Sequence, residues 1–262
     1  MRKRSIKVFL VRRRVVAVLA ALALAAGIFY AVSYPGSVSA AAAKRQLPIY
    51  SVERTDGKFC SISFDAAWGN EDTQILIDIL ARYDIKATFF VVGDWAEKYP
   101  EKVKSIAQRG FEIGNHSQNH PKMTKLTAEV TASNERISAS TGVTPTLIRC
   151  PYGEYDDHVI SAIRSMGMEP IQWDVDSLDW KDYDAPTICK RVTSKLAPGS
   201  IVLFHNAALH TPEALPEILE CMIREGYTVL PISQLILHER YTIDHTGRQF
   251  AAQTDETGEA AS

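Results

Sequence analysis

Apolar runs of strand length alternate with amphipathic helical stretches through most of this chain, and this alternation constrains its fold more than any other feature. The run at 86–92 (KATFFVV) is apolar almost throughout, which is typical of a parallel strand buried on both faces. The stretch at 100–109 instead repeats apolar residues at helical spacing. Strands are predicted at 60–64, 86–92, 111–115, 146–149, 169–175, 201–204 and 227–230.

Strict alternation of this kind predicts right-handed crossovers between parallel strands. The intervening helices are predicted at 72–83, 100–109, 127–141, 156–166, 186–196, 213–225 and 232–238. So many repeats within residues 57–238 favour a closed or nearly closed barrel over an open two-faced sheet. We therefore expect an α/β fold, a distorted parallel (β/α) barrel of about seven strands, preceded by one N-terminal helix.

The N-terminal helix is predicted from charge and hydropathy. Residues 1–14 carry seven basic side chains and no acidic one, and residues 15–32 carry no charge at all. A helix of that length spans roughly 27 Å, enough for a bilayer core. Basic residues before it predict a cytoplasmic N-terminus and an extracytoplasmic body. The small residues up to Ala40 are compatible with cleavage of this segment and secretion of the body. The length of the apolar run favours a retained membrane anchor instead.

Charge also bears on the partners of the body. The whole chain has a net charge of −2, and leaving out the seven basic residues of 1–14 gives −9 for residues 15–262. Because phosphate binding depends on clustered Lys and Arg, an acidic body argues against nucleic acid as a partner. No protein partner can be inferred. We expect a linker at 41–56, one domain at 57–238, and a tail at 239–262 whose end, from Ala251, is small and acidic in composition and disordered.

Polar residues stand directly after five of the predicted strands. A single polar residue after one strand would be interpreted as a strand end that faces solvent. In a parallel α/β barrel, however, the carboxyl ends of the strands meet on one rim, where active sites are built. Five such ends therefore predict one site. In strand order the residues are Asp65; His116 and His120; Arg149; Asp174, Asp176 and Asp179; and His205.

The same clusters, in the same order, resemble the motifs of polysaccharide deacetylases of the NodB-homology type, carbohydrate esterase family 4 (CE4). The stretch IKATFF at 85–90 resembles the second strand of that family. The resemblance covers about residues 58–237 and implies a distorted (β/α) barrel. The family motifs TFDDG, H-S/T-x-x-H, R-x-P-Y/F, D-x-x-D-W and L-x-H correspond here to SFDAA (63–67), HSQNH (116–120), RCPYG (149–153), DSLDW (176–180) and LFH (203–205).

The resemblance implies catalytic roles for five residues. Asp65 is implied to be the general base that deprotonates water, and Arg149 to orient and pair with its carboxylate. The backbone N–H of Tyr152 is implied to hold the oxyanion. His205 is implied to be the general acid that protonates the leaving amine, oriented by Asp179.

The resemblance also implies a metal and a pocket. His116 and His120 stand four residues apart, a spacing that lets two imidazoles face one ion when the chain between them makes a single turn. They are implied to hold a divalent metal, Zn²⁺ or else Co²⁺ or another ion, which would polarise the acetamide carbonyl and activate water. Trp180, Leu203 and Asp176 are implied to line the substrate pocket.

One position departs from the family pattern. The first motif normally has two adjacent carboxylates, the base and the third metal ligand, and Ala66 stands in place of the second. Two imidazoles lack the anionic ligand of a three-ligand catalytic site, so metal binding should be weak. Asn70, Glu71 or Asp72 follow closely, and Asp72 is the auxiliary ligand that we consider.

Two functions remain open from the sequence. The first is a metal-dependent hydrolase that removes N-acetyl groups from an N-acetylated cell-wall glycan, with peptidoglycan as the preferred candidate. The second is a glycan-binding protein on the same barrel, with weak or no catalysis because the third metal ligand is missing. The first is preferred, because the other motif positions are retained.

Overall fold

The computed structural model describes residues 15–16, 18–25, 27–30, 45–122 and 126–252. The chain divides into two compact units, Met1–Arg45 and Gln46–Ser262. In the first unit the described residues of 15–30 are helical. In the described parts of the chain, we find no helix with the length and apolar character needed to cross a membrane. The basic segment 1–14 and the cleavage position near Ala40 lie outside the described residues.

The second unit alternates strands and helices. Its strands are β1 (Ser51–Val52), β2 (Phe59–Ala66), β3 (Thr88–Val91), β4 (Glu112–Asn115), β5 (Leu147–Ile148), β6 (Glu169–Pro170), β7 (Val175–Asp176), β8 (Ile201–His205), β9 (Thr228–Val229), β10 (Tyr241–Ile243) and β11 (Arg248–Ala251). Its helices are α1 (Thr73–Arg82), α2 (Gly93–Lys98), α3 (Pro100–Gln108), α4 (Leu126–Thr141), α5 (Asp157–Ser165), α6 (Ala185–Thr193), α7 (Thr211–Arg224) and α8 (Ile232–Leu235). Short 3₁₀ turns lie at Pro151–Gly153 and Asp179–Lys181.

The main sheet is parallel throughout and has the order β6-β5-β4-β3-β2-β8-β7, with β9 paired to the start of β2. Its two ends, β6 and β7, are separated by only four residues of chain. Strands that are neighbours in sequence therefore lie at opposite edges of the sheet, so the sheet curls into a nearly closed barrel. The predicted distorted (β/α) barrel is confirmed.

The seam between β6 and β7 corrects one predicted element, the single strand at 169–175. This stretch is two short strands. Pro170 lacks the N–H that would face the open edge, and the chain leaves the ladder after Ile171, whose N–H donates to the Ile148 carbonyl at 2.8 Å. Ile49 takes the free edge: its N–H donates to the Pro170 carbonyl at 3.0 Å, and its own carbonyl accepts from Gln172 N at 2.7 Å.

The predicted linker and tail are corrected as well. The folded unit begins at Gln46, so the second half of the linker 41–56 belongs to it. Strand β1 pairs in parallel with β11, and β10 pairs antiparallel with β11. Residues 241–251 of the predicted tail are therefore part of a three-stranded sheet, and residues 253–262 lie outside the described residues. Helix α2, only six residues long, was also missed.

Alternation along β2 decides which side chains reach the site. Cys60, Ile62, Phe64 and Ala66 all lie in the hydrophobic core beneath the helices. The Phe64 ring stacks on Phe89 and Phe204, with centroids 4.9 and 5.6 Å away. Side chains alternate between the faces of a strand, so Asp65, which follows Phe64, is directed to the cleft instead. One strand thus supplies both the core and the rim.

Among the described glycines, Gly199 lies closest to the backbone of a neighbouring segment. Its φ is +87°, and a Cβ there would overlap the carbonyl oxygen of Val52 in β1. Gly142 has a similar φ of +74°, but nothing lies within 4 Å of a Cβ at that position. Gly199→Ala and Gly142→Ala should both lose about 1–2 kcal/mol of unfolding free energy to left-handed strain. Gly199→Ala should lose a further 1–3 kcal/mol or so, because β1 must move.

Urea denaturation of the two variants measures this difference. Equal losses would show that the contact between Gly199 and β1 is not a tight one in solution.

Candidate active site

Five strand ends meet at one cleft of about 430 Å³ on the carboxyl rim of the barrel. The strands β2, β4, β5, β7 and β8 lead into it, so residues far apart in sequence become neighbours. The residues that line the cleft are Asp65, Ala67, Trp68, His116, His120, Tyr152, Trp173, Asp176, Trp180, Leu203 and His205.

Asp65 lies at the centre of this rim and is almost fully buried. Its Oδ1 accepts a hydrogen bond from Nη1 of Arg149 at 2.8 Å, and its Oδ2 lies 3.5 Å from Nε2 of His116. Burial by itself would raise the pKa of Asp65, but the protonated forms of His116 and His205 and the charge of Arg149 outweigh it and lower that pKa. The carboxylate is therefore ionised at neutral pH, as a general base must be.

Arg149 is held as firmly as the carboxylate it pairs with. Its side chain is 0% exposed, and its Nη2 donates to the Gln172 carbonyl at 3.1 Å. Its guanidinium carbon lies 4.2 Å from the centroid of the Phe90 ring. These contacts fix the direction from which the charge meets Asp65.

His205 is paired with a buried carboxylate. Its Nδ1 lies 2.8 Å from Oδ1 of Asp179, while Oδ2 of Asp179 accepts from the His205 backbone N–H at 2.8 Å and from the Thr211 hydroxyl at 2.7 Å. Because the carboxylate only accepts, Nδ1 carries the proton and Nε2 is left for the cleft. Burial would lower the pKa of His205, but the hydrogen bond and charge of Asp179, with smaller effects of Asp65 and Asp176, raise it.

The two histidines of the HSQNH motif differ in how they are held. His116 directs Nδ1 to the Arg149 carbonyl at 2.8 Å, which leaves Nε2 facing Asp65. This outer hydrogen bond is the kind that orients metal ligands. The buried Nδ1 of His120 has no hydrogen-bond partner among the described residues, and its ring packs between Trp68 and Tyr152 with centroids 4.6 and 4.5 Å away. Burial lowers both histidine pKa values, that of His120 to about 4, so both rings are neutral at pH 7.

A three-ligand zinc site is not complete here. No group of three His, Cys, Asp or Glu side chains suited to a metal occurs among the described residues. Ala66 is fully buried in the core and supplies no donor atom. Asp72, the auxiliary ligand that we predicted, accepts from Ala207 N at 2.8 Å, beneath the loop that follows β8. The other carboxylate oxygen, Oδ2, is buried without a hydrogen-bond partner among the described residues, so Asp72 as an auxiliary ligand stays a prediction.

The predicted pocket residues Trp180, Leu203 and Asp176 do line the cleft, as does Tyr152. Tyr152 has a φ of 59°, an uncommon backbone conformation for a bulky residue. Asp174 is not among the cleft residues. Its carboxylate accepts from Ser200 Oγ and Ile201 N, at the opposite end of β8. The break at the seam explains this difference, because residues 172–174 cross it outside the ladder.

Three further contributors were missed. Trp68 and Trp173 line the cleft, and Asn206 bridges the loops after β2 and β8. Trp68 stands three residues after Asp65, so the same argument from strand ends applies to it. Trp173 lies inside the stretch expected to be one strand, and nothing in the sequence distinguishes Asn206.

The residues predicted to be the base and the acid lie side by side. Asp65 and His205 are direct partners in the ladder between β2 and β8. An ionised carboxylate and an imidazole with a raised pKa can together take a proton from water and give one to a leaving nitrogen. The arrangement suits hydrolysis of an amide held in the cleft.

Comparisons with known proteins agree with this chemistry. The polysaccharide deacetylase family matches residues 52–171. Peptidoglycan-N-acetylmuramic acid deacetylase PdaC of Bacillus subtilis is 34% identical over 68% of this chain and 38% of its own length. A peptidoglycan-N-acetylglucosamine deacetylase of Bacillus cereus is 35% identical over 56% of this chain and 55% of its own. The chain spans between 38% and 60% of the lengths of the first curated relatives.

Solved structures extend the comparison. BA3943 of Bacillus anthracis, a CE4 family pseudoenzyme, is 34% identical with a TM-score of 0.68 over 72% of this chain and 68% of that one. A mutant of BA3943 is a pseudoenzyme with restored enzymatic activity. The structure of PdaC is 33% identical with a TM-score of 0.64 over 70% of this chain and 92% of that one.

Replacing Asp179 with Asn should lower the pKa of His205, because the acceptor of its Nδ1–H loses its charge. In the wild-type protein the raised pKa contributes stability below about pH 6.5, which is lost as the pH rises through the folded-state pKa. The loss of unfolding free energy caused by Asp179→Asn should therefore be larger near pH 6 than near pH 9.

NMR titration of the imidazole C–H signals, assigned with His205→Gln, measures the pKa directly. Asp176→Asn is the matched control, since Asp176 has a weaker effect on His205, and its shift should be smaller. An unchanged His205 pKa in Asp179→Asn would contradict the pairing.

Proposed function

The chain belongs to the polysaccharide deacetylase family, and from this we propose that it removes N-acetyl groups from a cell-wall polysaccharide, with peptidoglycan as the substrate. The observation that carries the proposal is the adjacent placement of Asp65 and His205 on β2 and β8, each with its own buried partner. Similarity to two peptidoglycan deacetylases supports the choice of glycan.

Each step can be assigned to residues of this chain. Asp65, fixed by Arg149, takes a proton from a water molecule whose oxygen attacks the acetamide carbonyl carbon. The backbone N–H of Tyr152 donates to the oxyanion that forms. Nε2 of His205 then protonates the sugar nitrogen, the C–N bond breaks, and acetate and a free amine are released. Electrons and protons balance, since Asp65 gains the proton that His205 gives up.

The acetyl group and the sugar need different surroundings. Leu203 and Trp180 provide apolar surface for the methyl group, and Asp176 provides a polar group beside it. The cleft is open at its rim, where Tyr152 and Trp180 are exposed, so a sugar within a chain can enter it.

We propose that a divalent ion, Zn²⁺ or Co²⁺, binds at His116 and His120 only weakly. Both rings are neutral and lie together, with centroids 4.9 Å apart, but the third protein ligand of a catalytic site is missing. A bound ion would supply Lewis-acid polarisation of the carbonyl.

A second function is a glycan-binding protein with little or no catalysis. Two observations favour it: Ala66 leaves the metal site without its carboxylate, and BA3943, similar in sequence and structure, is a pseudoenzyme. The cleft and its aromatic residues would serve binding equally well.

Location follows from the substrate. Peptidoglycan lies outside the cytoplasmic membrane, so we propose that the folded unit is extracytoplasmic. The basic segment 1–14 and the apolar stretch 15–32 would anchor it in the membrane, or cleavage near Ala40 would release it.

Acetate release from N-acetylated peptidoglycan tests the proposal. The full chain, with added Zn²⁺ or Co²⁺, should release acetate at least about a hundredfold faster than Asp65→Asn or His205→Gln, because each variant lacks one proton-transfer group. Circular dichroism establishes that the variants are folded. Glycan binding without acetate under any metal would favour the second function.

Restoring a carboxylate at 66 should restore metal binding. Ala66→Asp is expected to retain more zinc after dialysis than the wild-type protein, because an anionic third ligand joins the imidazoles. Without metal the variant should be less stable, since the new carboxylate is buried without a counter-charge. Added zinc should then raise its unfolding temperature more than that of the wild type.

Ala67→Asp is the matched control for position, because it adds the same charge at the next residue, which lines the cleft. If Ala67→Asp gains zinc and Ala66→Asp does not, the ligand position has been assigned to the wrong residue.

A further inference from the structure

An exposed tryptophan lies beside the reacting groups without a role in the chemistry above. Trp68 lines the cleft, and the residue is 62% exposed. We propose that Trp68 is a stacking platform for a pyranose ring of the glycan chain, next to the sugar whose acetamide faces Asp65 and His205. This inference rests on the proposed function and names one residue that recognises a polymer rather than a single sugar.

The backbone of Trp68 is fixed on both sides by one side chain. Asn206, itself almost fully buried, accepts from Ala67 N at 3.2 Å and donates to the Gly69 carbonyl at 3.0 Å. The indole N–H of Trp95 donates to the same carbonyl at 2.6 Å. The exposed indole of Trp68 is thus carried on a segment that is hydrogen-bonded before and after it, so little conformational entropy remains to be lost on binding.

Contacts of the ring fix its direction. The indole centroid lies 4.6 Å from that of His120, with 60° between the planes. Tyr152 contacts the other side of His120 at 4.5 Å. His120 therefore supports Trp68 from within the cleft, and the remaining indole surface is left to solvent. A large apolar side chain that is rigid and exposed in this way is typical of a binding site.

The shape and chemistry of the cleft select the ligand. A pyranose ring presents a flat face of C–H groups that can cover an indole, while its hydroxyls reach polar groups such as Asp176. A cleft of about 430 Å³ accommodates sugar units rather than a folded partner. Since Asp65 and His205 act on one acetamide, the platform on the His120 side is left for a neighbouring sugar of the same chain.

Binding of saccharides of different length to the full chain tests the platform. The probes are N-acetylglucosamine and its β-1,4-linked tetramer, measured by isothermal titration calorimetry with wild type, Trp68→Ala and Trp68→Phe. Trp68→Ala should weaken tetramer binding between about threefold and tenfold, and Trp68→Phe should weaken it less, because a smaller aromatic face remains. Binding of the monosaccharide should not change.

Leu209→Ala is the control for loss of an exposed apolar side chain, since Leu209 is 70% exposed and is not among the cleft residues. It should bind the tetramer as the wild type does. Equal tetramer affinity of wild type and Trp68→Ala overturns the platform. An equal fold-loss for the monosaccharide and the tetramer also overturns it, because Trp68 would then act through His120. A wild-type protein that binds neither the tetramer nor purified peptidoglycan overturns the proposed function as well.

Discussion

The buried ion pair between Asp65 and Arg149 is the interaction on which the rest of the site depends. Both side chains are almost fully inside the protein, where an unpaired charge is strongly unfavourable. Removing one partner of such a pair typically costs about 3–5 kcal/mol, because the other charge is left uncompensated. The pair joins β2 to the end of β5, across the two intervening strands β3 and β4. It therefore fixes both the charge of Asp65 and the curvature of the rim.

Arg149 connects this pair to the rest of the cleft. Its carbonyl holds Nδ1 of His116, its Nη2 reaches Gln172 at the seam of the barrel, and its guanidinium lies against Phe90. His205 is oriented in a comparable way by Asp179, a second buried carboxylate. Asp65 and His205, the two groups proposed to transfer protons, are thus held by partners that solvent does not reach, which preserves their direction and their shifted pKa values.

The departure at Ala66 is understandable from the same strand. Ala66 continues the apolar face of β2 that includes Phe64, so an alanine there packs well in the absence of any ion. A carboxylate at that buried position would be stable only with a cation to neutralise it. The residue therefore favours a fold that is stable without metal, while Asp65, His116, His120 and His205 still converge above it. Core packing therefore favours alanine at position 66, whereas metal affinity favours a carboxylate.

The sequence by itself determined the alternating strands and helices, the parallel barrel and the order of the motifs, because these depend on local periodicity and on the rule that parallel strand ends share a rim. It also located Asp65, Arg149 and His205 at those ends. Only the tertiary structure decided the seam at 169–175 and the pairing of β1 with β11. It also decided the hydrogen bond from Ala207 to Asp72 and the hydrogen bonds of Asn206 to the loop that carries Trp68. Each of these is a hydrogen bond between residues remote in sequence, and local patterns carry no information about such partners.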